Sequence, residues 1–414
     1  MITHIHIENY KSVLGLDMGL GRINVLIGEN GCGKSNILEA IALASATAHE
    51  KLDNEFLASR GIRVTEPRFM RAAFSEAPSE QQEIKVDLKG DTEGTYHCRL
   101  DVVEGVTYPK WINKNPLGFS MDELQSLLST TKIKLKFVPI TESPVEQRAE
   151  QPKANAIEVA ITTTDQMASV LGLAAKQEES ALPQTVQQAI ARRKLIPDFL
   201  IYSPENTSLR TFQREGQILP LGIKGEGLFA HLKALASVPN SPTLAELIEK
   251  LSLIDWFESL EIPHDLSPDE RTLRIRDRYL TEGALFDQRS ANEGFLFLLF
   301  YFTLFASPET PAFLAIDNID ASLNPKLCSA LTTELVALAK RHDKQAILTT
   351  HNPAVLDGLD LKDDEQRLFV VYRDRRGATK VRRVEPPKPL EGAPPIKLSE
   401  AFMRGYIGGL PKNF

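Results

Sequence analysis

The chain has few cysteines, and no apolar run in it is long enough to cross a membrane. Its three cysteines, Cys32, Cys98 and Cys328, stand far apart without a CxxC pair, which argues against a disulfide framework or a zinc site. The most apolar stretch, residues 295–306, is shorter than the roughly 20 residues of a membrane-spanning helix. The opening residues MITHIHIENY lack the basic and apolar segments of a signal peptide. We therefore expect a cytoplasmic protein without membrane contact.

An excess of positive charge and a heptad repeat are also missing. The 414 residues contain 48 Lys and Arg against 55 Asp and Glu, so the net charge of −7 does not favour nucleic acid. Basic residues crowd a predicted hairpin at 367–385, which indicates either a local nucleic-acid contact or a solvated face. Asp374 and Glu385 interleave with them and favour the solvated face. Without sustained heptads, a long coiled-coil arm is excluded.

A phosphate-binding motif follows an early apolar strand. Residues 28–35 read GENGCGKS, which fits GxxxxGK[ST], between a predicted strand at 23–27 and a helical period of apolar residues. In this pattern backbone N–H groups turn toward phosphates, Lys34 reaches the β- and γ-phosphates, and the Ser35 hydroxyl binds Mg²⁺. A glycine turn before an ordinary helix is the alternative, and the flanking elements disfavour it. The predicted nucleotide-binding residues here are Asn30, Gly31, Cys32, Gly33, Lys34, Ser35 and Asn36.

Two later apolar strands end in residues that suit the same site. The run at 313–316 ends at Asp317, whose carboxylate can hold Mg²⁺ beside the phosphate-binding loop. The strand predicted at 345–350 ends at His351, which can hydrogen-bond a γ-phosphate. The alternative for His351 is an ordinary loop histidine with its hydrogen bonds satisfied. Its spacing after Asp317, with one helix between them, favours the phosphate contact.

These motifs resemble those of ABC-type P-loop ATPases of the RecF, SMC and OLD group. The opening IHIENYKS resembles that group's first strand and N-F-K-S turn. The sequence DNIDASLNP, from Asp317, resembles its Walker B motif and D-loop, and TTHNP around His351 resembles its H-loop. The segment SANEG at 290–294 stands where the group places its signature, just before a helix. The resemblance covers residues 1–60 and 280–358.

The resemblance implies an α/β fold, an ABC-type ATPase head with mixed and parallel sheets flanked by helices. We expect residues 1–150 and 270–385 to form this composite head. A mostly helical insertion is expected at 151–269, because 163–176, 183–193 and 243–259 show helical patterns. A linker and tail are expected at 386–414.

The resemblance also implies a mechanism with ATP and Mg²⁺. In a homodimer or higher homo-oligomer, two ATP molecules would lie between subunits, and Ser35 and Asp317 would be the metal ligands. Asn292 and Gly294 of one subunit would close on the γ-phosphate held by the other. Asn292 also suits the N-cap of a buried helix, and the two interpretations are compatible. Tyr10 is a hypothesis for stacking on adenine.

Two positions depart from the group's pattern. Asn292 replaces the signature serine unless Ser290 takes that position, and the amide of Asn292 can still donate to a phosphate oxygen. Asn318, which follows Asp317, replaces the glutamate that activates water, and an amide cannot act as a base. Asp320 or a partner subunit is the predicted compensation. The catalytic residues are therefore predicted to be Asp317, Asn318, Asp320 and His351, with slow hydrolysis.

The function expected from the resemblance is an ATPase that dimerises around ATP and controls a separate effector. That effector would be a nuclease or a toxin, in the setting of anti-phage defence. The alternatives are a RecF-like DNA repair ATPase and a non-hydrolysing, ATP-dependent scaffold, which Asn318 supports. Only 63 residues follow His351, fewer than the TOPRIM nuclease domain of OLD proteins requires.

Overall fold

The computed structural model describes most of the chain outside one long internal stretch. The described residues are 1–74, 83–91, 94–103, 110–115, 118–120, 196, 198–212, 216–262, 273–281, 285–386 and 396–409. The predicted helices at 163–176 and 183–193 lie outside them, as does the linker from residue 387 to 395.

The first sheet of the fold is antiparallel. Apolar and polar residues alternate along its strands, which explains why one face of the sheet is buried. Its strands are β1 (Ile2–Tyr10), β2 (Val13–Gly19), β4 (Ile84–Gly90), β5 (Thr95–Val103) and β6 (Lys110–Asn113), in the order β2-β1-β4-β5-β6. In β1 the side chains of Ile5 and Ile7 are buried, whereas those of His4 and His6 are partly exposed. Apolar residues therefore face the interior from one side of this sheet.

A second, six-stranded sheet forms the centre of the molecule. Its strands are β3 (Ile23–Ile27), β7 (Leu200–Tyr202), β11 (Phe313–Ile316), β12 (Gln345–Thr349), β13 (Gln366–Arg373) and β14 (Thr379–Val384), in the order β14-β13-β3-β12-β11-β7. All neighbours are parallel except β13 and β14, which form the predicted hairpin. The inner strands β3, β11 and β12 are buried throughout, as continuous apolar runs predict. Their carboxyl ends meet at one edge, where loops can build a site.

Helices cover both faces of the central sheet. They are α1 (Lys34–Ala48), α2 (Asn54–Ser59), α3 (Pro67–Met70), α4 (Asn206–Leu209), α5 (Leu228–Ala236), α6 (Pro242–Leu251), α7 (Glu293–Ala306), α8 (Pro325–Arg341) and α9 (Leu398–Met403), with a 3-10 helix at Pro353–Gly358. In β3, Val25 packs with the cluster around α7 and α8, whereas Leu26 packs with the cluster around α1 and the first sheet. The strand thus separates two hydrophobic cores.

The helix α7 is buried on all sides, as its uninterrupted apolar sequence predicts. Gly294 and every later residue of the helix are buried. The Phe300 ring packs edge-on against Tyr202 of β7, with ring centroids 5.8 Å apart. Because its whole circumference is packed, the direction in which α7 leaves residue 292 is fixed by the core.

The predicted helix at 243–259 is wrong in its second half. The helix α6 ends at Leu251, and Phe257–Glu261 forms the strand β8. A register shift in its pairing with β9 (Arg274–Asp277) lets Phe257 and Leu260 both point inward, three residues apart. A bulged strand of this kind mimics helical spacing, which explains the error. The strand β10 (Leu285–Phe286) completes this three-stranded sheet.

Part of the segment expected as an insertion belongs to the central sheet. The strand β7 lies within 151–269 and pairs with β11 along Leu314–Ile316. Leu228 and Phe229 of α5 pack in the same core as α7. The boundary of the insertion stays a prediction, but its described part is packed into the head.

Candidate functional site

The phosphate-binding loop is held in a shape that only glycine permits. It joins β3 to α1, and Gly28, Gly31 and Gly33 have φ values of +152°, +74° and +108°. A Cβ atom at Gly28 would lie 2.1 Å from the carbonyl oxygen of Val371, and one at Gly33 2.1 Å from Oγ1 of Thr379. Both distances are far inside van der Waals contact, so the two outer glycines are required by sterics as well as by φ.

The amine of Lys34 lies inside this loop. Its Nζ donates to the carbonyl oxygens of Gly28, at 2.8 Å, and Glu29, at 3.1 Å. Burial lowers the pKa of Lys34, while the negative charge of Asp317 acts in the opposite direction. Among the described residues no carboxylate forms an ion pair with it, so its direct contacts are the loop carbonyls and the Cys32 sulfur, 3.9 Å away. Such a buried cation is well suited to receive an anion.

The side-chain oxygens of Ser35 and Asp317 lie in the same cleft as this amine. The Ser35 hydroxyl donates to Oδ2 of Asp317 at 3.1 Å. The hydroxyl of Thr349 donates to the other carboxylate oxygen, which fixes the plane of the carboxyl group. One carboxylate and one hydroxyl are oxygen ligands of the kind that Mg²⁺ prefers, alongside water and phosphate. The two predicted metal ligands are therefore brought together and fit that ion.

Asn318 and His351 reach the same cleft. The backbone of Asn318 is left-handed, with φ of 57°, and its N–H donates to Thr349 Oγ1 at 2.9 Å. Asparagine tolerates this conformation better than most residues do. Partial burial, and then the charge of Lys34, lower the pKa of His351, which favours the neutral imidazole at pH 7.

Asp320 is placed differently from the other predicted catalytic residues. Its Oδ1 accepts a hydrogen bond from the Thr350 hydroxyl at 2.6 Å. It is not among the residues that line the cleft. The carboxylate therefore anchors the loop after β11 to the end of β12, and from there its charge still acts on Lys34 and His351.

Asn292 and Gly294 lie at the start of α7, apart from the phosphate-binding loop of their own chain. A Cβ atom at Gly294 would meet Asn292 Oδ1 at 3.2 Å and the Ser322 carbonyl oxygen at 3.4 Å. The Ser322 hydroxyl donates to the Glu293 carboxylate. Asn292 occupies the N-cap position, but its side chain makes no cap hydrogen bond. Its exposed amide is thus left for another contact.

The cleft formed by these loops has a volume of about 580 Å³, which is within the usual range of ligand sites. Its lining consists of Asn30, Gly31, Gly33, Lys34, Ser35, Asn36, Arg63, Asp317, Asn318, His351 and Arg373. Cys32 is absent from this lining, because its side chain is buried and its carbonyl oxygen accepts from Thr379 Oγ1 at 2.8 Å. The prediction for Tyr10 is wrong, since the ring is fully buried and its hydroxyl donates to Glu39 at 3.3 Å.

Sequence reasoning missed two arginines of the cleft. Arg63 follows α2 and belongs to no motif, whereas Arg373 ends β13, which pairs directly with β3. The sequence signal for Arg373 was available, because it ends an apolar strand in the same way as Asp317 and His351 do. Because Arg373 lies in a basic hairpin, it was interpreted with the other basic residues of that hairpin and not as a residue of the cleft.

No helix within the described residues is long and apolar enough to span a membrane. Comparisons with known proteins show similarity to AAA ATPase domains. A family model described as "AAA ATPase domain" matches residues 1–194, and one described as "AAA domain, putative AbiEii toxin, Type IV TA system" matches residues 192–357. An OLD nuclease of Thermus scotoductus is 25% identical over 134 residues, which cover 30% of this chain and 24% of that protein. The DNA replication and repair protein RecF of Salmonella newport is 26% identical over 129 residues, covering 31% of this chain and 35% of RecF.

The matched region thus spans only a quarter to about a third of these relatives. Among solved structures, an SMC head bound to the C-terminal winged-helix domain of ScpA superposes with a TM-score of 0.51 at 12% identity, covering 93% of this chain and 98% of that chain. This likeness confirms the predicted fold. The two AAA ATPase family models, with the local similarity to RecF and to an OLD nuclease, support the predicted resemblance to ABC-type P-loop ATPases of the RecF, SMC and OLD group.

Proposed function

We propose that this cleft binds ATP with Mg²⁺ and hydrolyses it slowly. The observation that carries the proposal is that one cleft contains both Lys34, which is held by two loop carbonyls and the Cys32 sulfur, and the Ser35–Asp317 pair, whose oxygens are 3.1 Å apart. A cation that forms no ion pair among the described residues, beside two metal-type oxygens, matches the two needs of a Mg²⁺-bound polyphosphate.

Each residue then has a distinct part. Lys34 exchanges its carbonyl contacts for phosphate oxygens, and the N–H groups of Asn30 to Gly33, with Asn36 beside them, surround the phosphates. Ser35 and Asp317 hold Mg²⁺, which neutralises the charge that develops on the phosphates. His351, as a neutral imidazole, donates one hydrogen bond to the terminal phosphate.

Slow hydrolysis is proposed because the cleft lacks a carboxylate at the position after Asp317. The amide of Asn318 can orient a water molecule but cannot take its proton. Asp320, the predicted substitute, is hydrogen-bonded to Thr350 outside the lining. The same observation favours a second candidate, an ATP-held switch with no turnover.

We further propose that two copies close around ATP. The exposed amide of Asn292 and the fixed direction of α7 support a contact with nucleotide bound by another copy. Control of a partner nuclease or toxin, as in anti-phage defence, extends this proposal by analogy with the group. A DNA-binding role is less supported, because Arg367 and Arg383 of the basic hairpin both pair with Asp364, at 2.7 and 2.6 Å.

The test is ATP binding and phosphate release by the purified protein and its Lys34→Ala variant, with size analysis in ATP and without it. We expect the wild type to bind ATP, to enlarge to a dimer or beyond, and to release phosphate slowly, whereas the variant does none of these. Binding and assembly without turnover would support the switch instead. A wild type that binds no nucleotide would refute the proposal.

A further inference from the structure

Arg373 is a second cation on the phosphate-binding loop. It ends β13, and its Nε donates to the carbonyl oxygen of Gly31 at 3.0 Å. Its Nη1 donates to the carbonyl oxygen of Gly377 at the tip of the hairpin. The side chain is exposed and lines the cleft together with Lys34.

The charge balance of the cleft separates its cations into two kinds. Arg63 has a carboxylate partner, because its Nε donates to Oε1 of Glu39 at 2.6 Å, and the same buried carboxylate also pairs with Lys11. Neither Arg373 nor Lys34 has a carboxylate partner in the described part of the chain, and both rest on backbone carbonyls of one loop. A guanidinium has five N–H donors, so two carbonyl contacts leave it with donors to spare.

These two cations meet only one carboxylate in the lining, that of Asp317. Mg²⁺ held by Ser35 and Asp317 would engage that carboxylate and would add further positive charge to the cleft. The cleft is therefore better matched to an anion of high charge than to one of low charge. The position of Arg373 also lies beyond residue 357, where the matches to the family models end.

We infer that Arg373 is a phosphate-contacting residue that selects a nucleoside triphosphate over the corresponding diphosphate. This rests on the proposed nucleotide binding. In the nucleotide-free loop, Arg373 is held in place by Gly31, and on binding it exchanges that carbonyl for the terminal phosphate. Lys34 contacts the phosphates from inside the loop, and Arg373 contacts the terminal phosphate from the side of the hairpin.

The test compares Arg373→Ala and Arg373→Lys with Arg375→Ala, which removes an exposed arginine of the same hairpin that does not line the cleft. Dissociation constants are measured for fluorescent analogues of ATP and ADP in Mg²⁺ at fixed ionic strength. Thermal unfolding without nucleotide shows whether each variant is folded.

We expect Arg373→Ala to weaken ATP binding by about tenfold or more, as a charged hydrogen bond to phosphate predicts, and ADP binding by much less. Arg373→Lys should recover part of the preference for ATP, because it keeps the charge but not the fork of donors. Arg375→Ala should change neither constant.

Equal losses for ATP and ADP would mean that Arg373 only ties the hairpin to the loop, and would overturn the inference. Unchanged constants for both nucleotides would overturn it as well. Should wild type bind neither analogue, the proposed function fails too, whereas wild-type binding that depends on Lys34 but not on Arg373 refutes this inference alone.

Discussion

Replacing Asn318 by glutamate should accelerate ATP hydrolysis. The residue lies in the cleft directly after Asp317, where the resemblance places a glutamate that activates water. A positioned general base contributes roughly 10²- to 10⁴-fold to a rate. The backbone opposes the change, because φ at this residue is 57°, and glutamate tolerates the left-handed region less well than asparagine.

The two effects are unequal. Holding glutamate in this conformation costs about 1 kcal/mol more than holding asparagine, and even if that whole cost appeared in the rate it would remove about fivefold. The smallest expected gain from the base, about 100-fold, would then leave roughly a 20-fold acceleration. We expect steady-state phosphate release at saturating ATP and Mg²⁺ to rise by at least that factor.

The matched control is Asn318→Gln. Glutamine has the length of glutamate and meets the same backbone strain, but its amide cannot accept the proton of water. Thermal unfolding of the two variants should therefore shift together, while only the glutamate variant gains rate. If both variants release phosphate equally fast, the reasoning is refuted, and a group other than residue 318 governs the attack on ATP.

Three further substitutions test the metal ligand, the phosphate-binding loop and the stability of the first sheet. Thr349→Val keeps the shape but removes the hydroxyl that donates to Oδ1 of Asp317 and accepts from the Asn318 N–H, so Mg²⁺-dependent ATP binding should weaken by about fivefold or more in titrations with and without the metal. Unchanged binding in Mg²⁺ would exclude this role. Gly33→Ala should abolish ATP binding in the same assay, because its Cβ would stand 2.1 Å from Thr379 Oγ1; retained affinity would show that the loop can widen. Asp87→Asn should lower the free energy of unfolding by roughly 1–2 kcal/mol at pH 7, since hydrogen bonds from His97 and Arg99 outweigh burial and hold the pKa of this carboxyl at about 2. A lowered carboxyl pKa stabilises the fold above about pH 4 and ceases to do so as pH falls toward 2, so in urea titrations the difference should shrink at acid pH; a constant difference would contradict it.

The features that could be predicted from the sequence are those that neighbouring residues encode. The loop at 28–35 and the strands ending at Asp317 and His351 could be identified because a glycine spacing and two apolar runs are each encoded by neighbouring residues. Their meeting at one sheet edge followed from the parallel order that the resemblance implied. The site residues Lys34, Ser35 and Asp317 are indeed in contact or close to it.

What was missed depends on contacts between distant segments. Arg373 ends an apolar strand, but it belongs to the cleft because β13 pairs with β3, and that pairing is not encoded near Arg373. Tyr10 was misassigned because its burial arises from Glu39 and the α1 side of the core. The strand β8 was predicted as helix because a bulge gave it the spacing of a helix.

The central place of β3 also determines when the protein can fold during synthesis. The side chain of Asn24 in β3 donates a hydrogen bond to the carbonyl oxygen of Ala346 in β12, 322 residues later in the chain. The strand on the other side of β3, β13, is synthesised later still. At about 5–20 residues per second, the ribosome needs roughly 15 to 65 seconds to supply these partners. During that interval both edges of the apolar strand β3 are unpaired in the nascent chain. The strand can then aggregate or bind chaperones. The phosphate-binding loop is therefore translated early, yet it takes its shape among the last parts of the molecule.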